Sequence, residues 1–175
     1  MFWSTIGASA YNNTIFDSPV GVSVEESSSG LAITENRIKN ATEGMNISGG
    51  SRENQVTGNN VSSSDVGVIL VGATRNLITG NLIFDSILGI VADFASRGNS
   101  IYGNDLSGNG EAARDEGDNL WDDGSRGNLW GPDVCNYADG HGGCEVPGSL
   151  NRHKCSTRCH PSGKETSRRQ GTWLH

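Results

Sequence analysis

Five carboxylates crowd into nine residues at "DEGDNLWDD", where Asp115, Glu116, Asp118, Asp122 and Asp123 surround Trp121, and a second tryptophan, Trp130, comes next within "GNLWGPD". With Asp93 upstream, these acids are the chain's candidate catalytic set. Glycoside hydrolysis needs two carboxyl groups flanking one bond, one of them kept protonated. The competing reading is that they are solvated turn residues, and the spacing favours it. Neighbours on an extended segment point to opposite sides, so Asp122 and Asp123 do not form a dyad by adjacency alone. The aromatic residues Tyr102, Trp121 and Trp130 are candidates for stacking against a sugar ring. For the two tryptophans the alternative is burial at the end of a core, which their place in the chain favours.

A second group of reactive side chains lies further on. All four cysteines and all four histidines come after residue 134. His141, Cys144, Cys155, Cys159 and His160, with His153 among them, offer the soft donors that zinc or copper takes. Their spacing matches no finger or ribbon. Two disulfides in an oxidising compartment are an equal use of the same cysteines. A third reading is an abrupt end foreign to the domain. Residues 1–144 carry 7 Lys/Arg against 18 Asp/Glu, net −11, whereas residues 145–175 carry 6 against 2, net +4. The acidic main part excludes a general nucleic-acid binder, which works through Lys and Arg on phosphates. No apolar run reaches the length of a membrane span, and the opening "MFWSTIGASA" has no signal-peptide pattern.

What positions these groups is a repeat. Asn13, Asn36, Asn59, Asn81 and Asn104 fall at intervals of 23, 23, 22 and 23, and Gly21, Gly44, Gly67 and Gly89 keep the same step. Aligned on that period, four columns are apolar throughout. They are Ala10/Ile33/Val56/Ile78/Ile101, Ile15/Ile38/Val61/Ile83/Leu106, Val22/Met45/Val68/Ile90 and Val24/Ile47/Leu70/Ala92. Short alternating runs separated by turn residues are strands, not helix. An all-β fold is therefore predicted: a right-handed parallel β-helix of about five rungs over residues 10–116, each stacked about 4.8 Å from the next. Residues 1–9 form a partial cap or truncated rung, 117–144 a capping segment bearing Trp121 and Trp130, and 145–175 an irregular basic tail. Asn36, Asn59, Asn81 and Asn104 are expected at a corner with left-handed backbone, their amides bonded along the axis. Gly44, Gly67 and Gly89 are expected at another tight corner. Thr34, Thr57, Thr79 and Tyr102 face outward in one column. Two neighbouring outward columns turn apolar at Ile69, Val71 and Val91, and Leu82 and Phe84 also face out; such a patch needs a packed tail, a sibling chain or a ligand.

The pattern N-x-I-x-x-N-x-I, then a Gly-led strand, resembles the NosD-like and related parallel β-helix repeat proteins, the carbohydrate-binding and sugar-hydrolase type of β-helix. The likeness covers residues 10 to about 133. "DNLWDDGSRGNLW" resembles the segment that closes the array in secreted members. "NYADGHGGCEVPGS" loosely echoes the Gly/Asp-rich stretch that comes next in those chains, and residues 145–175 match nothing in the family. The resemblance implies an extracellular or periplasmic place and, through the family's name, copper. Three scraps, "RIK" (37–39), "DD" (122–123) and "GHG" (140–142), mimic polygalacturonases, but in the wrong order. A lyase would need Ca²⁺ held by stacked acids, and the outward line Arg37, Asn60, Leu82, Asp105 does not supply them. The leading expectation is an exported, non-catalytic module that binds a polysaccharide or cell-surface polymer on its outer face. A fragment of a polysaccharide lyase or hydrolase comes second, and an accessory to a copper enzyme third. Oligomeric state is not legible.

Overall fold

The computed structural model describes residues 1–123 and 126–130. They form a right-handed parallel β-helix of about five turns without a helix. Sixteen short strands lie in three parallel sheets that the chain visits in rotation. Sheet A stacks β1 (Phe2–Trp3), β4 (Val20–Glu25), β7 (Glu43–Ser48), β10 (Val66–Val71), β13 (Leu88–Ala92) and β15 (Glu111–Asp115). Sheet B stacks β2 (Ser9–Tyr11), β5 (Ala32–Thr34), β8 (Gln55–Thr57), β11 (Leu77–Thr79), β14 (Arg97–Tyr102) and β16 (Asp118–Leu120). Sheet C holds β3 (Thr14–Phe16), β6 (Arg37–Lys39), β9 (Asn60–Ser62) and β12 (Leu82–Phe84). Among the described residues no helix is long and apolar enough to cross a membrane.

The four apolar columns are the core. Ile38 pairs with Val61 and Val61 with Ile83 in register, and all three are fully buried. The same holds for Ile33, Val56, Ile78 and Ile101. β-Branched side chains suit this stacking, because their restricted χ1 lets one rung pack into the next without further loss of freedom.

Corners are closed by polar ladders. The Nδ2 group of Asn36 donates to Asn59 Oδ1 at 2.9 Å, and the chain continues through Asn81 and Asn104 to Asn128. Each Oδ1 also accepts the backbone N–H of the preceding rung, while Nδ2 donates a second bond to a carbonyl, as Asn59 does to Ile33 O at 2.9 Å. An amide so engaged is tolerated in the core, where an unbonded one would cost about 1–3 kcal/mol. A parallel ladder runs through Asn54, Asn76, Asn99 and Asn119 at another corner. The left-handed residue is not the asparagine. Glu35 (φ 56°), Gly58, Gly80 and Gly103 precede the first ladder, and Glu53 and Arg75 precede members of the second. The asparagine comes just after the bend and ties it to the next rung.

Gly44, Gly67 and Gly89 differ more from expectation. They lie inside β7, β10 and β13 and carry no positive φ. Closeness requires them. A Cβ on Gly67 would sit 2.6 Å from the Gly89 carbonyl oxygen and collide with Ile83 Cγ2. The next place in the column is Ala112, on the last strand of sheet A, where no further strand crosses above.

Ile83→Asp should abolish cooperative unfolding at ordinary temperature, since an unpaired buried carboxylate costs several kcal/mol. Gly67→Ala should cost about 1–3 kcal/mol or more through overpacking. Thermal melts monitored by circular dichroism check both, and a parent-like melt for either would contradict the inward stacking.

Candidate functional site

Asp115 takes up the fourth inward column: its register partner is Ala92, and it is fully buried. This corrects its reading as a solvated turn carboxylate. Its Oδ2 accepts the Trp121 indole N–H at 2.8 Å, and its Oδ1 accepts Asn119 Nδ2 at 2.8 Å and the Gly117 N–H at 2.9 Å. A carboxylate with three N–H donors is a satisfied anchor. What it anchors is the cap. Trp121 is 1% exposed, and its ring lies 5.5 Å from that of Trp130, tilted by 43°. Trp130 is 7% exposed. Neither indole presents a face to a sugar, so the stacking reading fails for both. The pair covers the last rung's apolar residues, the end a solenoid must close.

The other candidate acids are spread along the rod. Asp93 Oδ1 accepts the Gly72 and Ala95 N–H groups and the Ser96 hydroxyl, closing the corner after β13. Asp118 opens β16 opposite Arg97. Asp122 is half-buried beside Trp121. Asp123 accepts the Arg126 backbone N–H at 2.6 Å and pairs with its guanidinium at 3.3 Å. Asp93, Asp115 and Asp123 are thus engaged in holding turns and the cap. A shallow polar concavity of about 400 Å³ lies at the corner between sheets C and A, lined by Asp17, Asn40, Thr42, Ser63 and Asp65, and is bridged by the Asn40–Asp17 hydrogen bond of 2.6 Å.

Tyr102 belongs to an ordered outer surface. On sheet B the outward column runs Tyr11, Thr34, Thr57, Thr79, Tyr102 in register. Tyr11 is 61% exposed and the others are half-buried. Glu35 accepts the Tyr11 phenol proton and raises its pKa, first through that bond and then by its charge. At the opposite end the Arg126 guanidinium lies 5.6 Å from the Tyr102 ring centroid, a cation–π contact. Tyr11, one period before Thr34, is the member that the threonine spacing alone does not reveal. Asn54, Asn76 and Asn99 carry a clearer signal that sequence reasoning missed, since they too recur every 22 to 23 residues.

His141, Cys144, Cys155, Cys159 and His160 lie outside the described residues. Among the described residues no group of three or more His, Cys, Asp or Glu gathers as a metal site, and Met45 is sealed in the core at 1% exposure. Copper takes imidazole or soft sulfur donors, so the described coil does not fit it.

A model of one protein family, described as "Periplasmic copper-binding protein (NosD)", matches residues 1–133. No curated protein and no solved structure matches the chain.

Because Asp115 accepts three N–H groups, Asp115→Asn turns one acceptor into a donor facing another donor. It should lower stability by about 1–3 kcal/mol, and Trp121→Ala by about 3–5 kcal/mol. The two losses should be strongly non-additive in a double-mutant cycle measured by denaturant melts, as one buried contact links them. Additive losses would separate the carboxylate from the cap.

Proposed function

The chain belongs to the NosD family of periplasmic β-helix proteins, and from that premise we propose that it is a non-catalytic module that binds a linear polysaccharide along the outer face of sheet B. The supporting observation is the Tyr–Thr–Thr–Thr–Tyr column. Hydroxyl groups repeat there at the strand spacing of about 4.8 Å, so the two rings stand about 19 Å apart. A pyranose chain lying along the rod advances by about one strand spacing per sugar, so successive rings meet successive rungs. The Thr34, Thr57 and Thr79 hydroxyls both donate and accept, as sugar hydroxyls require. Tyr11 supplies an open ring face near one end, and Tyr102 with Arg126 closes the other. The engagement of Asp93, Asp115 and Asp123 in structure supports binding without turnover.

The family's description favours a second reading, copper handling. Its donors would have to come from the histidines and cysteines beyond residue 134, since the described coil offers none that fit.

The full chain should bind at least one of soluble β-glucan, xylan or polygalacturonate in affinity electrophoresis while releasing no reducing ends. Tyr11→Ala with Tyr102→Ala should weaken that binding about tenfold, a loss near 1.4 kcal/mol, with melting almost unchanged; Thr57→Val should weaken it less. Parent-like binding by the double variant would refute the assignment of this face. For the second reading, stoichiometric Cu(I) uptake that vanishes in Cys155→Ser/Cys159→Ser is the expected result, and uptake unaffected by those changes would refute it.

A further inference from the structure

The outer face of sheet A changes character along the rod. One outward column reads Ser23, Asn46, Ile69, Val91, Arg114 in register. Beside it runs Val20, Glu43, Val66, Leu88, Glu111. Rungs three and four are therefore aliphatic, and the rungs on either side are polar or charged. Val71 is 39% exposed, and Ile87 and Phe94, flanking β13 at its two ends, are 64% and 70% exposed. A contiguous apolar band rimmed by polar groups marks an interaction surface. It is separate from the sheet B column and shares no residue with it.

We propose that this face docks on the same face of a second copy of the chain, about a two-fold axis parallel to the strands and running between β10 and β13. Such an axis carries the third rung onto the fourth. Ile69 then meets the partner's Val91, and Val66 meets the partner's Leu88, each contact made twice, as an isologous interface requires. The same operation carries the second rung onto the fifth, so Asn46 and Glu43 face the partner's Arg114 and the partner's Glu111. Charge fits there. Arg114 is held by Glu111 at 2.6 Å with 45% of its side chain exposed, and a guanidinium has five donors, enough to reach a second carboxylate. The partner's Glu43 supplies it, and Asn46 Nδ2 already steadies Glu43 Oε2 at 2.7 Å within each chain. Polar residues thus meet polar ones and apolar meet apolar only when two copies are related this way.

Area is sufficient. Rungs two to five span about 19 Å, and the stretch from Ile87 to Phe94 spans about 26 Å, giving roughly 500 Å² per chain. The total of about 1,000 Å² reaches the lower bound for a specific protein–protein interface. A surface of that size supports a reversible dimer with Kd on the order of micromolar, weaker than an obligate one.

Sedimentation velocity of the full chain under reducing conditions, which remove disulfide-linked species, tests this. A dimer should form at concentrations of about 100 μM and dissociate on dilution. Val91→Glu should raise Kd at least about tenfold. Ser23→Glu, in the same column but outside the paired rungs, should leave it unchanged, and both variants should keep the parent melting temperature. With residues 135, 144, 155 and 159 changed to Ser, Ile69→Cys chains mixed with Val91→Cys chains should link through a short bismaleimide more readily than Ile69→Cys chains alone. A monomer at about 100 μM overturns the proposal, whether residues 131–175 or another molecule occupies the band. So does a dimer indifferent to Val91→Glu, or one equally weakened by Ser23→Glu.

Discussion

Register between rungs is the constraint on which the molecule depends. Each side chain meets the residue 22 or 23 places further on, so every interior position must satisfy the rung on either side of it. Aliphatic columns meet this condition by shape. The asparagine columns meet it by hydrogen bonding, and more strictly: an Asn59 amide displaced by one residue would lose bonds to Asn36, Asn81 and the Ile33 carbonyl together. A slip of one place in a strand also turns every inward residue outward. The amide ladders and the aliphatic ladders therefore fix the same register from different chemistry.

A stack of this kind has an end problem, and the chain solves it with the ladders' own materials. Where the fourth inward column would require another aliphatic residue, Asp115 stands, and its charge is held by Trp121, Asn119 and Gly117. The polar ladders do not stop there: Asn119 and Asn128 extend both asparagine ladders beyond the last full rung. Trp121 and Trp130 then cover the apolar ladders. The tryptophans' burial arises from the same register that builds the coil, because their segment is threaded by hydrogen bonds to Asn99 and Asn104.

The coil itself was legible because each rung repeats the same few requirements. Ile38, Val61 and Ile83 declare an interior by recurring at one period, and the first asparagine ladder does likewise. What the sequence hid were roles that depend on the next rung in three dimensions. Gly67 reads as a corner residue, since glycine usually marks one, but its place is set by a carbonyl and a methyl group in rung four. Asn36 reads as the left-handed residue, although Glu35 takes that conformation and Asn36 closes it. Asp115 reads as one more turn acid, because the aliphatic pattern gives no hint that its column ends in a charge. The sheet B column was visible in its threonines and Tyr102. The histidines and cysteines beyond residue 134 keep no period and gave no comparable handle.

The interior's completeness decides where activity can lie. Side chains of the four inward columns are packed against their own kind, and the corner amides have no spare bonding capacity, so neither leaves room for a ligand. Recognition is left to the outward positions, which are free to vary because rung-to-rung bonding runs through the backbone beneath them. They vary in different ways on different faces. Sheet B keeps one chemistry along its length, hydroxyl after hydroxyl, as suits a ligand that itself repeats. Sheet A changes from polar to aliphatic and back within five rungs, as suits a partner with a definite centre and boundary. A single coil can therefore present a periodic surface and a bounded one side by side, and neither disturbs the register beneath.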